Sequence, residues 1–130
     1  MVVTPIPRVD KGTEAGRGTI RGVDGDDGKV CEHFQRAAEI LGRRWTPQVI
    51  QILLTGPKRF GELRNAVPGI SDNLLSERLK QLEDDGIVRR SLHDERPIRI
   101  DYALTEAGRG LEVAIGALGE WAERYTPAGS

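Results

Sequence analysis

The reactive side chains of the sequence are one thiol, Cys31, and two imidazoles, His33 and His93. Cys31 and His33 stand two positions apart on a segment with helical periodicity, where side chains turn by about 100° per residue, so they cannot readily share a proton. No glycine-rich phosphate loop, HExxH pair or paired carboxylates accompany them, so neither enzymatic activity nor a cofactor is expected. A single cysteine and two histidines make a structural zinc site hard to assemble. A different chemistry lies between residues 71 and 99. Ser71, Asn73, Ser76, Glu77 and Lys80 stand opposite Leu75, Leu79 and Leu82, which puts short hydrogen-bonding groups and one cation on the outer face of a helix. Asn and Ser can read base edges, Lys can reach a phosphate, and Glu can accept from cytosine N4, while Asp72 and Glu77 oppose a polyanion. Arg96 and Arg99 flank Pro97 at the tip of an expected hairpin, suited to a minor groove or a phosphate. Each feature alone also fits an ordinary solvated surface.

The elements that must carry these groups follow from periodicity. Phe34, Ala37, Ala38 and Leu41 form one stripe of a helix over residues 30 to 41, ended by Gly42. Thr46 is placed to cap, and Pro47 to begin, a short buried helix running to Gly56-Pro57. Phe60, Leu63, Ala66 and Val67 mark a third helix, stopped at Pro68-Gly69, and Ser71 then caps a fourth, ended by Asp84-Asp85-Gly86. The period switches to two over Ile98, Ile100, Tyr102 and Leu104, whose partner is Val88 to Leu92. Thr105 caps one terminal helix expected to run through Tyr125. The fold class is therefore mainly α with a small β-hairpin, a winged helix-turn-helix domain.

One domain accounts for 130 residues, with residues 1–29 as a flexible arm of six glycines and two prolines, residues 30–126 as the folded domain and 127–130 as a tail. Apolar residues at 38% and charged residues at 30% are an ordinary globular composition, and no apolar run approaches the length of a membrane span. The lone cysteine and the lack of a charged segment followed by an apolar run lead to the expectation of a reducing cytoplasm. Net charge is −1, yet residues 31 to 70 hold six basic and three acidic side chains, among them Arg43, Arg44, Lys58, Arg59 and Arg64. A local basic face suffices for DNA, with modest non-specific affinity.

The runs Cys31-Glu32-His33-Phe34, Ile40 to Thr46, Arg59-Phe60-Gly61-Glu62-Leu63, Pro68-Gly69-Ile70-Ser71, Leu74 to Val88, Pro97 and Tyr102-Ala103-Leu104-Thr105 occur in one order. Over residues 31 to 125 the sequence resembles the HxlR-type winged helix-turn-helix transcriptional regulators, relatives of the MarR group. It departs at Glu32, where the family often has Pro, and at Arg43-Arg44, where Gly-Lys often precedes the Trp. The resemblance implies a homodimer on a pseudo-palindromic operator of double-stranded DNA, commonly as a repressor, with the first and last helices at the interface. Phe34, Leu111, Ile115, Leu118, Trp121 and Tyr125 are the residues expected there, and the apolar stripe of the last helix independently exceeds what a small core can absorb. The resemblance also makes Cys31 a candidate redox or electrophile sensor. Helix-start dipoles favour a thiolate there and Glu32 opposes it, and a small buried hydrophobe is the equal alternative. A small-molecule effector could lie between subunits beside Trp45. The competing function is a winged-helix protein-interaction module that does not touch DNA, which Asp72, Glu77, Glu83, Asp84 and Asp85 keep open.

Overall fold

A computed structural model of the chain describes residues 20–23 and 28–127, so most of the expected arm and the last three residues of the tail lie outside the described residues. The backbone divides into two compact units, Met1–Gly42 and Arg43–Ser130, a boundary that falls inside the domain expected over residues 30–126. In the first unit α1 spans Glu32–Leu41. Its cap is Cys31, whose Sγ accepts from the Phe34 amide at 3.5 Å. Part of the expected arm is ordered against this helix. The Cys31 amide donates to the Gly22 carbonyl at 2.9 Å, Val23 bridges Val30, and Phe34 lies so close to Gly22 that a Cβ there would meet its ring at 2.7 Å.

The second unit holds the core, made of Val49, Ile50, Leu53, Leu63, Val67, Ile70, Leu75, Leu79, Leu82, Ile87, Val88, Leu104 and Ile115. α2 spans Thr46–Leu53, α3 Phe60–Ala66 and α4 Asp72–Asp84. The expectation that Thr46 caps α2 is corrected: Trp45 is the cap, in left-handed backbone at φ 77°, and Thr46 is fully buried at the first helical position. A bulky residue with positive φ is uncommon and persists only where its surroundings hold it. Here the Arg44 guanidinium stacks over the indole at 4.9 Å, and the far edge of the ring rests on Gly69, itself at φ 97°.

The wing is larger than the expected hairpin. Lys58–Arg59 form β1, Val88–His93 β2 and Arg99–Leu104 β3, in the order β1-β3-β2, all antiparallel. Register pairs Val88 with Leu104 at the buried base and His93 with Arg99 at the outer end. The single terminal helix is also corrected: α5 covers only Glu106–Arg109, and α6 runs Glu112–Tyr125 after a break at Gly110–Leu111. The backbone flattens there, to ψ −11° at Gly110 and ψ 0° at Leu111, and glycine's low helical preference at 110 offers little resistance to that turn. α5 is fastened to the wing base, since the Thr105 hydroxyl donates to the Gly86 carbonyl at 2.6 Å and accepts from the Gly108 amide at 3.2 Å.

Candidate nucleic-acid interface

α4 begins at Ser71, whose Oγ accepts from the Leu74 amide at 3.1 Å, as the Ser at this turn predicts. Leu75, Leu79 and Leu82 are buried, and this orients the helix: Ser71, Asn73, Ser76, Glu77 and Lys80 are all exposed. The five positions expected to face DNA thus lie on the accessible side of one helix. Lys80 is not a bare cation, because its Nζ reaches Asp84 at 3.2 Å. Exposed i,i+4 pairs contribute only about 0.3–0.5 kcal/mol, so a phosphate can compete for the lysine.

At the wing, Arg96 is exposed and belongs to none of the ion pairs seen among the described residues. Arg99 differs from expectation. It leaves the tip to pair with Glu95 at 3.3 Å and Asp101 at 3.4 Å, and Asp101 also holds His93 at 3.0 Å. A strand register that puts His93 opposite Arg99 next to Asp101 makes this a local charge network. Arg89 and Arg90, overlooked in the sequence, are exposed on β2 and in none of the described pairs. Alternation along the strand would have turned only one of the two outward; their shared exposure belongs to an edge strand and carries no periodic signal.

Three cations of the basic cluster around α2 and α3 are already engaged within the chain. Arg43 is bound to Asp85 at 2.9 Å in a largely buried pair, Arg44 covers Trp45, and Arg64 reaches Asp72 at 3.4 Å. Elsewhere, Leu118, Trp121 and Tyr125 are about half exposed on α6, Trp121 and Tyr125 with ring centroids 5.8 Å apart, and Phe34 is exposed on α1. Leu111 is intermediate, and Ile115 belongs to the chain's own core at 7% exposure, which removes it from the expected interface. Val113, 83% exposed, extends the α6 face instead. Cys31 is a free thiol of intermediate exposure. Among the described residues no helix is long and apolar enough to cross a membrane.

Comparison with known proteins places these elements in a family. The model of the HxlR-like helix-turn-helix matches residues 40–130. The uncharacterized HTH-type transcriptional regulator YvaP of Bacillus subtilis is 40% identical over 97 residues, 75% of this chain and 90% of its own length. YodB of the same organism, an HTH-type transcriptional regulator, is 38% identical over 100 residues, 77% of this chain and 89% of its own. The reduced form of YodB superposes with a TM-score of 0.68 at 38% identity, covering 78% of this chain and 99% of that one. The redox regulator HypR in its oxidized form gives 0.70 at 32% identity, covering 74% and 99%. With the family's model spanning most of the chain and named regulators matched along nearly their whole length, the chain belongs to the HxlR-like helix-turn-helix family of transcriptional regulators.

Proposed function

We propose that the protein is a homodimeric repressor that binds a pseudo-palindromic operator, with α4 in the major groove and the β2–β3 tip at the neighbouring minor groove or backbone. The observation that carries this reading is the outer face of α4: a capped helix start with Asn73 and Ser76 exposed where base edges would lie. The apolar arc of α6, with Phe34 also exposed on α1, supports pairing of two copies. Such a protein works where the DNA is, in the cytoplasm. Asn73→Ala should relax base preference at one position per half-site, by about 1–3 kcal/mol, whereas Lys80→Ala and Arg96→Ala should weaken all sequences alike and each reduce the salt slope by about 1. Selection from a randomised duplex pool checks this. An unchanged profile for Asn73→Ala would rule out base reading through that residue.

Cys31 is the proposed signal input. Its support is partial exposure at a helix cap, together with kinship to HypR, described as a redox regulator, and to YodB, known in diamide-treated and quinone-bound forms. Diamide should take two electrons and two protons from the Cys31 thiols of two subunits to form one disulfide. An electrophilic quinone, the small-molecule effector class this reading favours, would add to the thiolate instead. Non-reducing electrophoresis after diamide should show a dimer band that Cys31→Ser lacks, with operator release only in the wild type. No band and unchanged DNA affinity would remove the sensor role and leave DNA binding standing.

A further inference from the structure

Arg78 is the one arginine on α4, and a basic residue on a reading helix is ordinarily assigned to the DNA backbone. Its side chain is only 14% exposed and points the other way. Nε donates to the Arg44 carbonyl at 2.8 Å, Nη1 donates to Gln81 Oε1 at 3.1 Å, and Glu77 lies at 3.6 Å. The carbonyl it grips is held in place, because Arg44 precedes the left-handed Trp45, stacks over its ring at 4.9 Å, and that ring bears on Gly69. Two further arginines fasten the ends of the same helix. Arg43 grips Asp85 just past its C-terminus at 2.9 Å, with side chains 23% and 8% exposed, and Arg64 reaches Asp72 in its first turn across an exposed 3.4 Å.

We propose that Arg78 is a positioning residue: it fixes the rotation of α4 about its own axis against the Arg43–Trp45 connection, and thereby the base specificity of the protein, without contacting DNA. The inference rests on the reading of α4 as the helix that enters the groove. The buried stripe of Leu75, Leu79 and Leu82 sets which face of α4 looks outward, and the Arg78 bonds set its finer rotation, because apolar packing has no direction of its own and a small roll sweeps Asn73 and Ser76 sideways across the base edges. Hydrogen bonds weaken steeply once donor and acceptor leave a window of about 2.7–3.2 Å, so a shift near 1 Å suffices to lose discrimination. Phosphate attraction varies slowly over that distance and survives it. Arginine suits the task because its planar fork donates in two directions at once, to Arg44 and to Gln81, where a lysine offers a single compact head.

The test compares wild type, Arg78→Ala and Arg78→Lys. A duplex selected by the wild type from a randomised pool and a random-sequence duplex of equal length are titrated across a salt series, and thermal unfolding is followed in parallel. Positioning predicts that Arg78→Ala loses at least tenfold in the ratio of selected to random affinity, with the salt slope unchanged. Arg78→Lys, which keeps length and charge and so guards against a failure to fold, should lose severalfold in the ratio with a melting temperature near that of the wild type. A salt slope lowered by about 1 with the sequence profile intact would make Arg78 a phosphate contact and overturn the proposal. A lowered melting temperature with an unchanged ratio would make it merely structural and overturn it equally. A wild type without sequence preference would overturn the reading of α4 and this proposal with it, whereas preference retained in both variants overturns this proposal alone.

Discussion

Trp121→Glu is expected to leave the chain folded and to convert it to a monomer that no longer holds an operator tightly. About half of the indole is exposed, at 49%, so the fold does not depend on it. Val113, Leu118, Trp121 and Tyr125 instead make an outward apolar arc on α6, beside the inward face that carries Ile115. An aromatic side chain of this size buries roughly 150–250 Å², so covering its exposed half at about 25 cal/mol per Å² contributes about 2 kcal/mol. A two-fold interface counts that twice, and about 4 kcal/mol is roughly three decades in the dimer dissociation constant. Sedimentation equilibrium should show the loss of dimer, circular dichroism an unchanged helix content, and gel shifts the loss of the affinity that comes from linking two half-sites. A variant that stays dimeric and binds as before would show that α6 is not the interface.

Gly108→Ala is expected to be strongly destabilising even though it puts a better helix former into α5. The gain in helix propensity is at most about 1 kcal/mol. Against it, a Cβ at this position would stand 2.4 Å from the Ile87 carbonyl oxygen and 2.9 Å from Leu104 Cδ2, and the first of these is backbone at the base of the wing. Overpacking typically costs about 1–3 kcal/mol, and an overlap this deep with backbone belongs at the upper end, so a net loss of about 2 kcal/mol remains; the same shift strains the Thr105 bonds to Gly86 and Ile87. In a domain of this size each kcal/mol moves the melting temperature by about 4–8 °C, so calorimetry should record a clear fall. A melting temperature equal to or above that of the wild type would mean that Gly108 is not held against Ile87 and Leu104 as described.

Legibility in the sequence followed the range of the interactions. Ser71 and the Leu75, Leu79, Leu82 stripe specify α4 and its outer face by local rules, and the alternation through Leu104 marks the wing strand. Lys58–Arg59 escaped notice as a strand, because two residues carry no period and their partners, Tyr102 and Asp101, are far away in the chain. Trp45 as a left-handed cap depends on Gly69 and Arg44, neither of which a capping rule consults. Charges were hardest to place, since composition counts arginines but does not say that Arg43, Arg64 and Arg99 are already occupied by Asp85, Asp72 and Glu95. Arg78 did leave a signal. It lies three residues after Leu75, four after Leu74 and four before Leu82, within the leucine stripe itself, where a cation must find an internal acceptor.

The carboxylates that hold Lys80, Arg64 and Arg99 bear on selectivity as well as on strength. On the proposed reading of α4 and the wing, a cation that turned to a phosphate would exchange one partner for another, and the released Asp84, Asp72 or Glu95 would stand beside the polyanion. Each such pair offsets only about 0.2–1 kcal/mol of the attraction, but it does so on every sequence alike. Such a regulator would owe less of its affinity to charge and more to the bases it reads.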